Sequence, residues 1–324
     1  MLSKISAAYS RIKDYVNKTP VLTSRTLNRK LDMKVYFKCE NFQRVGAFKF
    51  RGALNALSQL SSSEKEGGVI THSSGNHAQA VALASRELQI KATIVMPENA
   101  PKVKKAATRG YGADIVFCGN DPTSRKDKVE ELMQEFNYTL VHPYNDYRII
   151  HGAGTAAYEL LKEVSDLDLI VAPVGGGGLL SGTSIAAKGL NEDITVIGIE
   201  PLNADDAFRS FQDGRRIFPS IDPNTIADGL RTSLGVITFK IIKQNVNGIV
   251  RVTEEGIVNA MRYLWERMKI IIEPSGAVPL AGLFQLKGNP EEYDFKDKRV
   301  GVILSGGNID LTDFFNHLNK KLGL

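Results

Sequence analysis

The sequence predicts an α/β protein with doubly wound parallel sheets. Short apolar runs alternate with helix-like patterns from about residue 35 to residue 304, which is typical of parallel sheets with helices on both faces. Three of the apolar runs pass directly into glycine-containing turns, at residues 73–76, 175–178 and 305–308. Because ligands of such folds bind beyond the carboxyl ends of strands, these turns also predict where a ligand site lies.

Length and composition are those of an ordinary folded protein. The chain has 324 residues, which suggests about two domains. Hydrophobic residues make up 43% and charged residues 24% of the chain, which argues against intrinsic disorder. Lysine and arginine exceed aspartate and glutamate only by 41 to 36, and the excess is scattered, so we expect no nucleic-acid partner.

Cysteine usage and hydropathy predict the compartment. Cys39 and Cys118 are too few for a disulfide framework or a four-cysteine zinc site, so we expect a reducing compartment. No apolar run reaches the roughly 18 residues that a membrane span needs, and the N-terminus lacks the apolar segment of a signal peptide. We therefore expect a cytoplasmic protein with no membrane partner.

The secondary-structure elements follow from apolar periodicity, taken in order along the chain. Residues 1–15 are predicted as an amphipathic helix because Ile5, Ala8, Ile12 and Val16 fall near one face. Short apolar runs predict strands over 35–37, 68–71, 92–96, 115–117, 138–141, 167–174, 194–199 and 299–304. Helical spacing predicts helices over 50–60, 76–88, 101–110, 122–136, 148–164, 179–190, 253–268 and 311–322.

Helix start and stop signals support two of these helices. Pro101 stands at a first turn and Gly110 just past the end, the usual positions of proline and glycine around a helix. Thr253 is followed by Glu254 and Glu255, as expected of an N-cap and an acidic first turn.

The glycine run from Gly175 to Gly178 lies between a buried strand and a helix. Glycines let the backbone approach an anion closely, and amide groups at a helix start donate to it, so the run predicts a phosphate site. Tight packing of the strand against the helix is the alternative explanation. The run is not a Walker A loop, since no Gly-Lys-Ser/Thr follows.

A dinucleotide site is a second possibility for the same turn. The fingerprint would need a third glycine where Leu180 or Ser181 stands, and neither position has one. Yet Glu200 ends the next strand, about twenty residues on, where a ribose-binding acid is expected. An NAD-dependent dehydrogenase that uses this turn and Glu200 is therefore the alternative from a different class.

Lys49 lies among apolar and small residues at a predicted helix start, in Gly46–Ala53. Desolvation and the positive end of a helix both lower the pKa of a lysine, and a neutral amine can form a Schiff base. By itself this pattern also fits an ordinary solvated lysine.

Four motifs occur together and in a fixed order. They are Phe48–Ala53, Ser73–His77, Gly175–Leu179 and Ser305–Asn308. In this combination the sequence resembles the fold type II pyridoxal-phosphate enzymes, in the group that contains serine racemases and serine/threonine dehydratases. The resemblance extends from Thr19 to Asp310. It implies two open parallel-sheet domains with pyridoxal 5'-phosphate in the cleft between them.

The resemblance implies roles for the residues of the cofactor site. Lys49 holds the cofactor covalently and acts as the base on one face of the substrate α-carbon. Gly175, Gly176, Gly177, Gly178 and Leu179 bind the cofactor phosphate. Asn76 contacts the 3'-oxygen, Phe48 packs beside the ring, and Ser305 bonds the pyridine nitrogen, although a turn serine that caps the next segment is the alternative for Ser305.

The resemblance also implies substrate contacts. Ser73, Ser74, Asn76 and His77 surround the substrate carboxylate, which meets backbone amides at a helix start. Arg125 closes the site over the substrate, and Asp228 lies near its hydroxyl. Ser74 is the second proton carrier, opposite Lys49, unless its hydroxyl only bonds the loop.

A serine at position 305 limits the chemistry. A hydroxyl does not keep the pyridine nitrogen protonated as a carboxylate would, which makes the ring a weaker electron sink and disfavours transamination. Two reactions remain: racemisation of L- and D-serine, and elimination of serine to pyruvate and ammonia. Ser74 favours the racemase, and an L-threonine/L-serine ammonia-lyase without significant racemisation is the alternative.

Acidic residues after the strand 194–199 predict a cation site. Glu200 and Asp206 offer oxygen ligands for Mg²⁺, with Mn²⁺ and Ca²⁺ as alternatives. The resemblance assigns the ligands to Glu200, the carbonyl of Ala204 and Asp206. A solvated acidic helix start is the other interpretation.

The remaining expectations rest on the resemblance alone. It implies a homodimer, a large cofactor-binding domain over 1–68 and 146–324, and a small mobile domain over 69–145. Activation by ATP is doubtful, because Arg25 stands where a small hydroxyl residue is expected, although Arg44 keeps a positive charge nearby.

Overall fold

The fold is given by a computed structural model that describes residues 1–100, 102–218, 223–288, 295–311 and 316. In these residues the strands, in chain order, are β1 Val21–Leu22, β2 Lys34–Cys39, β3 Val69–His72, β4 Ala92–Pro97, β5 Asp114–Cys118, β6 Thr139–Leu140, β7 Leu169–Pro173, β8 Thr195–Pro201, β9 Gly248–Val252 and β10 Arg299–Leu304. They form a six-stranded sheet in the order β1-β2-β10-β7-β8-β9 and a four-stranded sheet in the order β5-β4-β3-β6.

Both sheets are parallel apart from one edge. Only β1 runs antiparallel to its neighbour, β2; the other pairs, including β10 with β2 and β7 and all pairs of the four-stranded sheet, are parallel. The predicted doubly wound α/β class with two parallel sheets is therefore confirmed.

Thirteen α-helices cover these sheets in the described part of the chain. They are α1 Leu2–Ile12, α2 Arg25–Leu31, α3 Lys49–Leu57, α4 Ser62–Gly67, α5 Asn76–Glu87, α6 Lys102–Gly110, α7 Pro122–Phe136, α8 Tyr147–Glu163, α9 Gly178–Leu190, α10 Asp206–Asp213, α11 Val236–Asn245, α12 Glu254–Tyr263 and α13 Pro274–Gly288. None of the described helices is long and apolar enough to cross a lipid bilayer.

Most predicted elements are present with ends shifted by a few residues, and α1 buries Ile5, Ala8 and Ile12 as expected. The helix predicted over 253–268 is α-helical only to Tyr263 and continues as a wider π-helical turn, Leu264–Met268. The helix predicted over 311–322 lies, apart from residues 311 and 316, outside the described residues, as does Pro101.

The sequence analysis missed α13, a helix that is buried over most of its length. Its residues from Pro274 to Leu283 are all buried, and Pro279 stands inside it. A helix surrounded by core on all sides has no amphipathic period, and an internal proline reads as a helix breaker. The short strands β1 and β9 and the helices α2 and α11 also escaped prediction.

The division of the chain follows the two sheets only in part. All strands of the four-stranded sheet lie between residues 69 and 145, which agrees with the predicted small domain. However, Phe50, Leu54 and Leu57 of α3 share one apolar core with Val69 and Ile94 of that sheet. The proposed boundary at residue 68 thus separates residues that pack together, and it stays a prediction.

A buried ion network fixes the start of α3. The guanidinium of Arg51 contacts Glu40 at 2.7 Å and Glu159 at 2.8 Å, and Lys38 contacts Glu159 at 2.7 Å. All four side chains are almost completely removed from water. Two cations and two carboxylates balance, so no charge is left uncompensated. The network joins β2, α3 and α8 two residues beyond Lys49.

Candidate active site

One cavity of about 260 Å³ lies between the two sheets, beyond the carboxyl ends of β3, β7 and β10. It brings together the predicted cofactor and substrate residues Phe48, Lys49, Ser73, Ser74, Asn76, His77, Arg125, Gly175, Gly176, Gly177, Gly178, Leu179, Asp228 and Ser305. The predicted metal ligands Glu200, Ala204 and Asp206 do not line it. The three glycine-containing turns thus meet at one place, as expected of turns that follow the carboxyl ends of parallel strands.

Lys49 is the first residue of α3, and its amine lies inside the cavity wall. The Nζ atom donates a hydrogen bond to the carbonyl oxygen of Pro143 at 2.8 Å and lies 5.3 Å from the centre of the Phe48 ring. Burial lowers the pKa of Lys49 to about 8, although the nearby carboxyl of Glu273 opposes this shift. With this pKa roughly a tenth of the amine is unprotonated at pH 7, far more than for an ordinary lysine, and the neutral amine is the form that acts as nucleophile or base.

The turn that contains Ser305 is joined directly to the lysine segment. The backbone N–H of Phe48 donates to the carbonyl oxygen of Ser305 at 3.0 Å, and Ala47 forms an isolated antiparallel bridge with Gly306. The lysine and the buried Ser305 are thus held at a fixed separation by the backbone.

Each glycine of the run 175–178 meets a neighbour that a side chain would strike. A Cβ atom at Gly176 would lie 2.4 Å from the ring of Tyr144, and one at Gly175 would lie 2.8 Å from the backbone of Leu230. Gly177 has a φ of +85°, which favours glycine. Close packing against Tyr144 and Leu230 therefore explains the glycines at 175 and 176 by itself, although the sequence analysis gave packing only as the alternative to a phosphate site. The run leads directly into the first turn of α9, which no side chain caps and whose amides have no acceptor within the helix.

The loop from Ser73 to Gly75 leads from β3 into α5. The Ser73 hydroxyl accepts a hydrogen bond from the backbone N–H of Gly75 at 3.2 Å. Ser73, rather than Ser74, is therefore the serine that closes the loop. Among the described residues, no hydrogen bond of the Ser74 hydroxyl is present, which leaves it available to a ligand in the cavity.

Two histidines beside the lysine are neutral. His77 is buried, and its Nε2–H donates to the carbonyl oxygen of Val141 at 3.2 Å. Burial lowers the pKa of His77 well below its usual value, and burial also lowers the pKa of His142 to about 4. The Nδ1 atom of His142 accepts from the backbone N–H groups of Tyr144 and Asn145, which fixes its tautomer. The His77 ring is thus held to Val141 through Nε2, whereas its Nδ1 atom has no hydrogen-bond partner among the described residues.

Charged groups stand at another part of the cavity wall. Lys104 of α6 contacts Asp228 at 2.5 Å, which joins the four-stranded side to the six-stranded side. Arg125 of α7 also lines the cavity, and its Nε atom is buried without a hydrogen-bond partner in the described structure. An unpartnered guanidinium nitrogen is suited to an anionic ligand.

The acidic cluster after β8 is separate from the cavity. Glu200 is fully buried and accepts hydrogen bonds from the backbone N–H groups of Ala207 at 3.0 Å and Phe208 at 2.7 Å. Asp206 is fully buried, and neither carboxyl oxygen has a partner among the described residues. Burial raises the pKa of Glu200 well above its usual value and that of Asp206 to about 6.

These contacts decide between the interpretations of the cluster. A solvated helix start is wrong for Glu200 and Asp206, because both are inaccessible to water. The dinucleotide interpretation fails as well, because Glu200 is bonded inside the protein and does not line the cavity with the glycine run. Asp205 is instead a surface residue, paired with Arg209 and Arg251.

Several cavity residues escaped the sequence analysis. They are His72, Lys104, Pro143, Tyr144, Thr232, Glu273 and Ser275. Of these, Glu273 is the most unusual, a 4% exposed carboxyl whose pKa burial raises to about 8. It follows three isoleucines and precedes Pro274, Ser275 and Gly276, a local signal that the sequence analysis did not use.

Comparison with known proteins identifies the family. The sequence profile described as "Pyridoxal-phosphate dependent enzyme" matches residues 12–306 of the chain. The chain belongs to the pyridoxal-phosphate dependent enzymes. It is 48% identical to a serine racemase of Dictyostelium discoideum over 98% of both chains, and 47% identical to an L-threo-3-hydroxyaspartate ammonia-lyase of Saccharomyces cerevisiae over 97% of this chain and 95% of the relative.

Solved structures of pyridoxal-phosphate dependent enzymes have the same fold. The crystal structure of the Dictyostelium discoideum serine racemase covers 96% of this chain and 99% of its own, with a TM-score of 0.90 and 47% identity. The structure of maize serine racemase covers 99% and 98%, with a TM-score of 0.93 and 39% identity. The predicted resemblance to fold type II is therefore confirmed.

The cavity residues fit pyridoxal phosphate. Lys49 offers a buried amine of lowered pKa, and the open first turn of α9 beside Gly175–Gly178 offers amide donors to a phosphate. Ser305 and Asn76 offer polar groups between these two ends of the cavity. When bound, the cofactor supplies an electron sink that acidifies the α-C–H bond of an amino acid.

Proposed function

We propose that this protein is a serine racemase that interconverts L- and D-serine and also eliminates water from serine, which yields pyruvate and ammonia. The observation that carries the proposal is one cavity that contains Lys49, Ser74, Ser305 and the glycine run. The names of relatives at 44–48% identity, which include serine racemases and hydroxyaspartate ammonia-lyases, support it.

In this proposal two side chains move protons at the substrate α-carbon. Lys49, unprotonated in part near neutral pH, removes the proton on one face. Ser74, whose hydroxyl is free of hydrogen bonds in the described structure, delivers a proton on the other face. Return of a proton to the opposite face gives racemisation, whereas departure of the β-hydroxyl gives elimination.

The other cavity residues bind and orient. The first-turn amides of α5, beginning at Asn76, would bind the substrate carboxylate, and those of α9 would bind the cofactor phosphate. Ser305 donates to or accepts from the pyridine nitrogen without supplying a charge. A neutral partner there favours reactions at the α- and β-carbons over transamination.

A second candidate substrate has an acidic β-substituent. The buried Nε atom of Arg125 lacks a partner in the described structure, and Lys104 stands in the same cavity. These cations suit the additional carboxylate of a 3-hydroxyaspartate, which is the substrate in the name of the yeast relative. An ammonia-lyase for L-threonine and L-serine without racemisation is the alternative within the same chemistry, and a threonine deaminase structure 42% identical to this chain supports it.

The proposal includes a cation at the acidic cluster. Glu200, the carbonyl of Ala204 and Asp206 would bind Mg²⁺, with Mn²⁺ or Ca²⁺ as substitutes. Support comes from the unpartnered, fully buried carboxyl of Asp206, since buried carboxylates are ordinarily paired or bound to metal. Among the described residues no three His, Cys, Asp or Glu side chains are arranged so that they could hold a metal ion, and the proposed site accordingly includes the backbone carbonyl of Ala204.

The assembly and location in the proposal are a homodimer in the cytoplasm, with residues 69–145 as a small domain that closes over the cavity. Two buried, unpaired cysteines support a reducing compartment. The ion pair between Lys104 and Asp228, which spans the cavity, supports closure of one side on the other. Activation by ATP stays doubtful.

The experiment that tests the proposal uses Lys49→Ala and borohydride. Both D-serine and pyruvate formation should be lost in the variant, because both reactions begin with removal of the α-proton. Borohydride reduction of the wild-type protein with bound cofactor should attach the cofactor to Lys49, located by peptide mass spectrometry. Attachment at a different lysine contradicts the proposal.

The choice of substrate has a separate test. We expect Arg125→Ala to lower kcat/KM for L-threo-3-hydroxyaspartate at least tenfold more than kcat/KM for L-serine if the acidic substrate is accepted. If wild-type protein does not turn over hydroxyaspartate, the second candidate is wrong. If it forms no D-serine but deaminates threonine readily, the ammonia-lyase alternative is right.

A further inference from the structure

Glu273 lies in the cavity wall immediately before α13, and its contacts reach two different parts of the site. Both carboxyl oxygens accept from the side-chain Nδ2 of Asn76, at 2.9 and 3.1 Å. The Oε2 atom also accepts from the backbone N–H of Asn308 at 3.2 Å, and the backbone N–H of Glu273 donates to the carbonyl oxygen of Gly306 at 3.2 Å. The residue therefore bonds both the start of α5 and the turn that contains Ser305.

The same contacts fix which way the Asn76 amide faces. The Nδ2 atom of Asn308 donates to the carbonyl oxygen of Val45 at 2.6 Å, which identifies it as the nitrogen. It also donates to Oδ1 of Asn76 at 2.9 Å. The oxygen of Asn76 thus faces Asn308, and its nitrogen faces the carboxyl of Glu273. If the Asn76 amide were turned over, its NH₂ group would face the NH₂ group of Asn308. Its oxygen would then face the carboxyl oxygens of Glu273.

These two parts belong to different sheets. Asn76 begins the helix that follows β3 of the four-stranded sheet, whereas Ser305 and Asn308 follow β10 of the six-stranded sheet. Two side chains bond Asn76 to the 305–308 turn across the cavity, Asn308 directly and Glu273 through its carboxyl. Glu273 is the one of the two that bonds both the Asn76 amide and the backbone of the turn.

We propose that Glu273 is a positioning residue for the cofactor, which orients the Asn76 amide and holds the Ser305 turn so that both meet pyridoxal phosphate. This inference rests on the proposed function, because it uses the cofactor contacts assigned there to Asn76 and Ser305. Glu273 does not itself act on the substrate.

The chemistry of the site requires a carboxyl at this position. Its two oxygens accept from two different donors, the amide of Asn76 and the backbone of Asn308. A glutamine has one oxygen and one NH₂ group, so one of these donors would face another donor, and a buried donor without an acceptor is costly. An aspartate keeps both oxygens but is one methylene shorter.

Burial and hydrogen bonding act in opposite directions on the carboxyl of Glu273, because the bonds from Asn76 and Asn308 favour its ionised form. Burial raises the pKa of Glu273 to about 8, and burial lowers the pKa of Lys49 to about 8. The negative charge of Glu273 acts in the opposite direction on Lys49 and partly offsets its desolvation. Besides Lys49, the charged groups that act on Glu273 are Asp228 and Lys104.

The test measures cofactor binding by Glu273→Gln. Cofactor-free protein is titrated with pyridoxal phosphate, and the visible absorption band of the bound cofactor is recorded. We expect the dissociation constant to rise at least tenfold and the band to shift, because the Asn76 amide is no longer held. The matched control is Glu254→Gln, which removes an acceptor of one backbone N–H, that of Ile226 at 2.8 Å, away from the cavity. The control should change neither quantity.

A second variant covers the case in which Glu273→Gln does not fold. Glu273→Asp keeps the charge but shortens the side chain by one methylene, so its oxygens no longer reach both donors, and it should also raise the dissociation constant. Unchanged cofactor binding and an unchanged band in Glu273→Gln contradict the inference, as does a lower melting temperature with wild-type affinity. If wild-type protein does not bind pyridoxal phosphate at all, the proposed function fails instead.

Discussion

Substitution of Gly176 by alanine tests the packing of the glycine run. The added Cβ would lie 2.4 Å from Cδ1 of Tyr144, with two further ring atoms at 2.5 and 2.6 Å. Ordinary carbon contacts are about 3.5–4.0 Å, so the loop or the ring must move by about 1 Å. The backbone of Gly176 does not have the left-handed φ that Gly177 has, so steric overlap and not backbone strain sets the cost.

The expected loss of stability is about 1–3 kcal/mol, the usual cost of overpacking. Alanine also restricts the unfolded chain more than glycine does, which stabilises the folded protein by roughly 0.4–1 kcal/mol and reduces this loss. Because the displaced loop contains the amides that face the phosphate, the dissociation constant for pyridoxal phosphate should rise at least tenfold. Urea unfolding of the cofactor-free protein and titration with cofactor measure the two effects.

Two controls distinguish this explanation from a general effect of alanine. A Cβ at Gly248, at the start of β9, would meet nothing within 4 Å, so Gly248→Ala should leave stability and cofactor affinity nearly unchanged. In a Tyr144→Ala background the ring is absent, so Gly176→Ala should cost clearly less. Equal costs in both backgrounds, or a Gly176→Ala protein as stable as Gly248→Ala, would refute the reasoning.

Three further predictions concern buried charge, pH and metal. Glu159→Gln removes a carboxyl shared by two buried cations and should lower the free energy of unfolding by about 3–5 kcal/mol. The control is Glu163→Gln, which breaks an exposed pair with Lys18 and should have little effect. Similar urea midpoints for the two variants would contradict this prediction. Since only the neutral amine reacts, cofactor attachment to Lys49 should speed up about tenfold per pH unit up to its pKa of about 8 and then level off, and a rise that continues towards 10.5 contradicts a lowered pKa. A chelator should lower the melting temperature of the wild-type protein, and Mg²⁺ should restore it to an extent that grows with the ratio of its concentration to its dissociation constant. In Asp206→Ala neither the chelator nor Mg²⁺ should change the melting temperature. No response in the wild-type protein contradicts the metal site.

The sequence predicted the place of the site because the relevant residues follow strands. In a parallel sheet the carboxyl ends of strands lie at one edge, so the turns after β3, β7 and β10 were expected to converge. Lys49 at a helix start and Gly175–Gly178 before another were indicated by local chemistry. The roles of Ser74, Asn76 and Ser305 came only from the combination of motifs, since each alone is an ordinary turn residue.

Residues whose importance depends on tertiary contacts could not be predicted. Tyr144 requires glycine at position 176 although the two are distant in the sequence. Glu273 bonds Asn76 across the cavity, a contact between residues 197 positions apart that the apolar run before Glu273 does not reveal. The helix α13, which begins beside it, was missed for a related reason, since its surroundings and not its own periodicity stabilise it.

The most direct test of the proposed function compares three rates in wild-type protein and Ser74→Ala: D-serine formation from L-serine, pyruvate formation from L-serine and pyruvate formation from D-serine. Cofactor content, measured by absorbance, must be equal. Removal of a positioned proton carrier should slow racemisation by roughly 10²–10⁴, and elimination from D-serine should fall with it, because its α-proton faces Ser74. Elimination from L-serine should change far less, since Lys49 removes that proton. An equal loss of racemisation and L-serine elimination would contradict the account, because it would mean that Ser74 shapes the loop and moves no proton.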